Sequence, residues 1–331
     1  MSQRQRIWAL TALWGMLGVV VAMPSAAAQT HHKFTPTAGV PTFAVREPVL
    51  RVKPGDIVET ETLWGGWYER PGGAWPGEVG PIYIEGAAPG DTLVVKILRL
   101  RLNRDVAVSR HNPTFGTLVA DRFTPMLTDP IPARRFTWKI DRQKNTATLE
   151  LPQSRLGRIE VPLSPMLGRV ATAPPGEESW SGLWPGPFGG NMDAADVREG
   201  ATVYLPVFHE GALFYFGDVH ALQGDGEIAG TGLETTADVT FQFDLIKGKT
   251  IAWPRIENET FIMVAGSGRP LIDALRIAYV ELIKWLIDEY GFDRWEAYQL
   301  VSQVTVMRVA NAVDPYYTVV AKFPKKYLPK R

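Results

Sequence analysis

The densest run of chemically capable side chains in this sequence is Gly217-Asp218-Val219-His220-Ala221-Leu222-Gln223-Gly224-Asp225-Gly226-Glu227. Aspartates, a histidine, a glutamine and a glutamate sit among glycines, whose backbone freedom lets a short segment fold tightly while its side chains converge. Asp218 and His220 are two residues apart, so on an extended strand they point to the same face. That placement suits joint coordination of a divalent ion, or an imidazole oriented by a carboxylate. The same run also fits a glycine-rich turn with solvated carboxylates.

A second cluster is Phe188-Gly189-Gly190-Asn191-Met192-Asp193. Its glycines permit close backbone approach, Asn191 offers a donor and an acceptor, and Asp193 is a candidate base or metal ligand. A turn or helix cap before Ala194 is the structural alternative for Asp193. The chain holds five histidines. His31 and His32 lie near the start of the folded part and His209 reads as a strand-end surface residue, which leaves His220 and His111 for interior chemistry.

Composition removes several mechanisms. The absence of cysteine excludes thiol nucleophiles, disulfides, Cys-ligated zinc and iron–sulfur clusters. Lys and Arg number 35 against 35 Asp and Glu, so no basic excess points to nucleic acid. No G-x-S-x-G elbow, P-loop, dinucleotide glycine fingerprint or H-E-x-x-H is present. Hydrolytic chemistry would then rest on carboxylates, histidine and a metal-bound water.

The elements that must position these residues are mostly strands. Two strand–turn–strand units share a Pro-Gly-Asp turn, at Pro54-Gly55-Asp56 and Pro89-Gly90-Asp91, where proline fixes one angle, glycine takes positive φ and aspartate bonds nearby amides. Phe136 to Ile140 and Thr146 to Leu151 read as a hairpin, and strand patterns return at 202–208, 212–216, 239–246 and 318–323. The Pro/Gly-rich section 162–190 shows little periodicity and reads as irregular. From Gly268 the period changes. Leu271, Leu275, Leu282 and Leu286 mark an amphipathic helix between Pro270 and Gly291, and a second helix starts at Asp293 with Glu296 at capping-box spacing. The expected fold is α+β and β-rich: a β-sandwich or barrel-like body at 29–262 with a smaller C-terminal α/β part at 263–331.

Residues 1–28 read as a secretory signal. Arg4 and Arg6 precede an apolar run from Ile7 to Met23, and Ala26-Ala27-Ala28 supplies a small-residue cleavage site after Ala28. An uncleaved anchor is the competing reading, at the lower limit of membrane-spanning length. The expected product is a periplasmic or secreted protein without stable membrane insertion.

GDVHALQGDGE at 217–227, FGGNMD at 188–193, GPIYIEG at 80–86 followed by Pro89-Gly90-Asp91, and FDLIKG at 243–248 together resemble the acetamidase/formamidase family, in the family's order. Glu296 to Ser302 and Val313-Asp314 extend the similarity over nearly the whole chain after residue 28. The resemblance implies hydrolysis of the carbon–nitrogen bond of a small linear amide to ammonia and a carboxylate. It implies a divalent metal, zinc or calcium, held by Asp218, His220 and Asp193, with Glu227 as general acid/base and Asn191 stabilising the oxyanion. Asp193 is also a catalytic candidate. Trp64, Trp67 and Gly190 are candidate substrate contacts, although tryptophans at such spacing also serve packing. The implied partner is a small-molecule amide, with no nucleic acid, and a homo-oligomer is left open. Two other readings stand beside this one: a hydrolase of cyclic amides, and a non-catalytic exported binding protein on the same scaffold. The chain departs from the family pattern at Pro187-Phe188, where many relatives carry a histidine, and at Thr305-Val306, where relatives often have an acidic residue.

Overall fold

The computed structural model describes residues 29–119 and 129–329; the expected signal segment lies outside them. Two large sheets face one another, and their apposed faces make the main core. One sheet runs in the order His31–Lys33, Ile57–Glu61, Ala237–Ile246, Thr92–Leu102, Thr202–Pro206, Arg255–Glu257, Phe261–Gly268, Tyr317–Pro324, Val306–Asn311. It contributes Val58, Leu93, Val95, Phe241 and Phe243 to the core, against Leu167, Val170, Phe214, Phe216 and Val219 of the other sheet. The phenylalanines interlock edge to face, Phe216 with Phe241 at 4.9 Å and Phe214 with Phe243 at 5.3 Å. Each such side chain withdrawn from water contributes about 1.5–3 kcal/mol. The architecture is β-rich α+β, as the strand patterns predict.

Period-2 alternation assigns the two faces of the first sheet. Met263 and Ala265 face the other sheet, whereas Ile262 and Val264 face the helix Leu271–Tyr290 through Ala274, Ala278, Leu282 and Leu286. That helix starts after Pro270 and ends at Gly291, whose φ of 68° supplies the left-handed cap. The next helix, Arg294–Val304, is capped by the Asp293 carboxylate, which accepts from the amides of Trp295 and Glu296. The strands after residue 263 complete the same sheet as those of the body, and Phe261–Gly268 runs across the expected 262/263 division. Among the described residues no helix is long and apolar enough to cross a membrane.

The second sheet carries the chemistry. Neighbouring strands in it are Val106–His111, Glu234–Thr235, Phe214–His220, Met166–Ala171 and Gly189–Asn191. Two expectations change here. The section 162–190 contains a central strand, Met166–Ala171, with all six residues buried. A strand covered on both faces shows no polar alternation, so periodicity passes over it. The strand expected to stop at Phe216 continues to His220, so Asp218 and His220 lie on a buried strand rather than in a solvated loop. Both Pro-Gly-Asp turns form as expected: Gly55 and Gly90 take positive φ, Asp56 accepts from the Lys53 amide and Asp91 from the Ala88 amide.

Candidate active site

Strand register brings the site together. His220 pairs with Met166 on one side and Glu234 on the other, while Arg169 lies opposite Gly217 and Asn191. Between the pairs Leu167↔Val219 and Arg169↔Gly217 the ladder is interrupted, and there Asp218 has φ 59°. Asp193 and Glu227 are also left-handed, at 48° and 49°. Three of the six non-glycine residues with positive φ among the described residues are therefore site carboxylates. Such conformations cost on the order of 1–3 kcal/mol each and persist where surrounding structure enforces them. Glu227 comes from the 3₁₀ turn Asp225–Glu227, anchored by the Ala312 amide on the Gly226 carbonyl. Asp314 comes from the connection between Val306–Asn311 and Tyr317–Pro324.

His220 is the hub. Its Nε2 lies 3.1 Å from Glu234 Oε1, 3.5 Å from Asp218 Oδ1 and 3.9 Å from Glu227 Oε1, yet it forms no hydrogen bond. Its Nδ1 sits 2.7 Å from Gln223 Oε1. Gln223 Nε2 donates to the carbonyls of Asp193 and Ala310, both at 2.9 Å, so Oε1 is the end facing the imidazole. An amide oxygen can only accept, which assigns the proton to Nδ1 and turns Nε2 toward the carboxylates.

Arg169 organises the opposite wall. Its Nε donates to Asn191 Oδ1 at 2.6 Å and lies 3.3 Å from Asp218 Oδ2, and Nη1 donates to Glu78 Oε1 at 2.5 Å. Trp75 donates its indole N–H to the same Glu78 oxygen, and its ring lies under the guanidinium at 4.8 Å. Asn191 Nδ2 donates to Asp314 Oδ2 at 2.6 Å. Gly168 lies beneath the carboxylates: a methyl group there would stand 2.5 Å from Asp193 Oδ1 and 2.7 Å from Asp218 Oδ2. Only glycine admits both groups.

Enclosure sets the protonation states. Burial pushes the Asp193 carboxyl up to about 7, with Asp218 adding to it and His220 and Arg169 pulling down. Burial raises Glu227 well above the carboxylate range, and Asp193 reinforces this. Asp314 is raised well above its usual value by burial, then by Asp193 and Glu227. For Asp218 burial is outweighed by Arg169 and His220, which hold it well below. Burial disfavours charge on His220, but Glu234 and Asp218 hold its pKa well above the usual value.

Two overlapping groups have metal-ligand geometry, Asp193–His220–Glu227 and Asp218–His220–Glu234, with the donor atoms of each group within 4.8 Å of one another. Both Asp193 oxygens, His220 Nε2 and Glu234 Oε2 are buried without hydrogen-bond partners. Orphaned polar atoms of this kind, mostly carboxylate oxygens, carry a desolvation cost that a divalent cation would remove, so the donor set fits one. Because His220 has a single free nitrogen, it can serve only one ion.

Asp218, Glu227, Glu234, Asn191, Asp314 and Arg169 line a cavity of about 380 Å³, which Trp67, Trp75 and Arg110 help to wall. Of the residues singled out in sequence, Asp193, Asp218, His220, Glu227 and Asn191 converge. Trp67 reaches the cavity. Trp64 does not line it: it stacks on Tyr68 at 4.6 Å. Gly190 also lies off the cavity, where a side chain would meet the Trp184 carbonyl at 2.1 Å, so it is a close-packing position. Asp225 pairs with Arg308 at the surface, His111 with the Pro132 carbonyl and His209 with the Pro174 carbonyl. Phe188 is fully buried against Phe43 and Trp180, and Val306 is exposed at a strand start. Glu78, Arg169, Gln223 and Glu234 carry no role in the sequence reading. The usable signal was a lone arginine inside the apolar run Met166–Ala171.

The acetamidase/formamidase family profile matches residues 183–327. The crystal structure of an acetamidase from Yersinia enterocolitica superposes with a TM-score of 0.82 at 35% identity, over 91% of this chain and 94% of the other. An acetamidase of Mycolicibacterium smegmatis is 44% identical over 61 residues, 18% of this chain and 15% of the other. A formamidase of Methylophilus methylotrophus is 26% identical over 210 residues, 51% of each chain. The chain thus aligns with about half or less of the length of these curated relatives. With identity and superposition extending over nearly the whole of the Yersinia structure, this chain belongs to the acetamidase/formamidase family.

Proposed function

We propose that this protein hydrolyses the carbon–nitrogen bond of a linear amide to ammonia and a carboxylate, with a divalent metal ion at His220. The observation that carries the proposal is the convergence of Asp193, Asp218, Glu227 and Glu234 around an unbonded His220 Nε2 beside a cavity. Asp193 and Asp218, both packed against Gly168 and each with an oxygen within 4.8 Å of a His220 ring nitrogen, would hold the ion together with His220. When bound, such an ion supplies Lewis acidity toward the amide carbonyl and toward water.

The chain's own groups account for the rest. Gln223 fixes a proton on Nδ1, which leaves Nε2 as the nitrogen that would give up its proton to serve the ion. Glu227, kept protonated by burial and by Asp193, is placed to deliver a proton to the leaving nitrogen. Arg169 presents fixed positive charge at the cavity wall, suited to the carbonyl oxygen as it gains negative charge. Asn191 spends its carboxamide on Arg169 and Asp314, so its role is to position them. Family membership supports the amide bond as the target. The test is ammonia release from a series of primary amides by the wild type, His220→Ala and Glu227→Gln. The expected result is activity in the wild type and a loss of at least about 10²-fold in each variant; variants as active as the wild type would overturn the assignment.

A further inference from the structure

The cavity is larger than the smallest amides need. Acetamide has four heavy atoms, about the volume of three waters at about 30 Å³ each, against about 380 Å³ here. The far part of that space has its own chemistry. Glu234, at the reactive end, pairs with Val108, and Arg110 stands two residues further along the same strand and on the same face, about 7 Å away. The Arg110 guanidinium lies over the Trp67 ring at 3.7 Å. Its Nε and Nη2 are buried without a hydrogen-bond acceptor, and it forms no ion pair among the described residues. Its cross-strand partner is a second arginine, Arg135, which donates to the Tyr68 carbonyl and the Thr137 hydroxyl and whose Nε is likewise buried without an acceptor. Glu234, on the adjacent strand, accepts from the Gly232 amide and meets His220 through Oε1, and its charge favours the Arg110 cation without forming an ion pair with it. Two like charges side by side, both with unsatisfied buried donors and one of them lining a cavity, are unfavourable unless an anion joins them.

We infer, building on the amide-hydrolase reading, that Arg110 binds a carboxylate at the far end of the substrate's acyl chain, with Trp67, Trp75 and Phe115 covering the chain between. The substrate class is then the monoamides of dicarboxylic acids, with the amide at the His220 end and the carboxylate at Arg110. Arg110 is the specificity-determining residue and the planar fork of its guanidinium matches a carboxylate.

The experiment compares kcat and KM for glutaramate and for the neutral valeramide in the wild type, Arg110→Met and Arg110→Lys. The wild type is expected to favour glutaramate by about tenfold to a hundredfold, through KM. Arg110→Met is expected to bring the ratio toward one, and Arg110→Lys to keep part of it. A wild type that prefers valeramide, or treats the two alike, overturns the inference and leaves amide hydrolysis standing. If no amide releases ammonia, the amide-hydrolase reading fails, and calorimetry with glutaramate and the neutral valeramide decides the anion site by itself. Tighter glutaramate binding that Arg110→Met abolishes supports it; equal binding overturns it.

Discussion

Gln223 Oε1 lies 2.7 Å from His220 Nδ1, and the other end of the same carboxamide is pinned to the Asp193 and Ala310 carbonyls. One glutamine thereby ties the imidazole to the backbone of a second site residue and decides which nitrogen faces the carboxylates. Groups that orient a metal-ligating histidine typically contribute tenfold to a hundredfold in affinity. Gln223→Leu is expected to weaken divalent-metal binding by about that factor, read by competition with a chromophoric chelator, with a smaller change in melting temperature.

Gly168 supports the carboxylate pair from below. In Gly168→Ala the new methyl would stand within 2.7 Å of both Asp193 and Asp218. The carboxylates must separate, so metal binding and activity are expected to fall together, while overpacking costs about 1–3 kcal/mol of stability. Urea unfolding and a metal titration on the same preparation check both parts.

The Arg169–Glu78 pair is almost completely removed from water. Taking away one partner of such a pair leaves an uncompensated buried charge, at about 3–5 kcal/mol. Arg169→Met should therefore lower the urea midpoint sharply, and Arg169→Met/Glu78→Gln should recover part of the loss. An unchanged midpoint in the single variant would contradict the structural role of the pair.

The turn aspartates give the acid dependence. Burial works against the charge on Asp91, but Lys247 and the amides of Gly248 and Ala88 outweigh it and hold the carboxyl below its usual value. A folded pKa below the unfolded one means that this stabilisation is fully present above the unfolded value, about 3.9, and is lost as pH falls through the folded value. Asp91→Asn is expected to be less stable than the wild type at pH 7, with the difference closing below about pH 4. Urea midpoints at pH 7 and pH 3 measure it.

What could be seen in sequence follows from how each residue is displayed. Asp218, His220 and Glu227 stand in one glycine-rich run, and Asn191 and Asp193 in another, so their types and spacing were visible. Arg169, Glu78 and Glu234 are single charges in otherwise apolar or turn-rich stretches; only strand register sets Glu234 beside His220 and Arg169 opposite Asn191, and Glu78 joins the site through its ion pair with Arg169. The strand carrying Arg169 shows no polar alternation, because burial on both faces erases it. The helix Leu271–Tyr290 was legible because one face packs on a sheet and the other meets solvent, which writes a 3.6-residue period with proline and glycine at its ends. Trp64 and Trp67 are indistinguishable by type, and only the fold turns one toward the cavity and the other onto Tyr68.

The most direct test of the site is metal-dependent ammonia release by a single preparation. The protein is assayed with valeramide and glutaramate as isolated, after chelation with elemental analysis of the depleted protein, and after titration with zinc or calcium. Ammonia release that disappears on depletion and returns with one ion per chain, but does not return in His220→Ala, is the predicted result. Full activity in protein shown to be metal-free would contradict it.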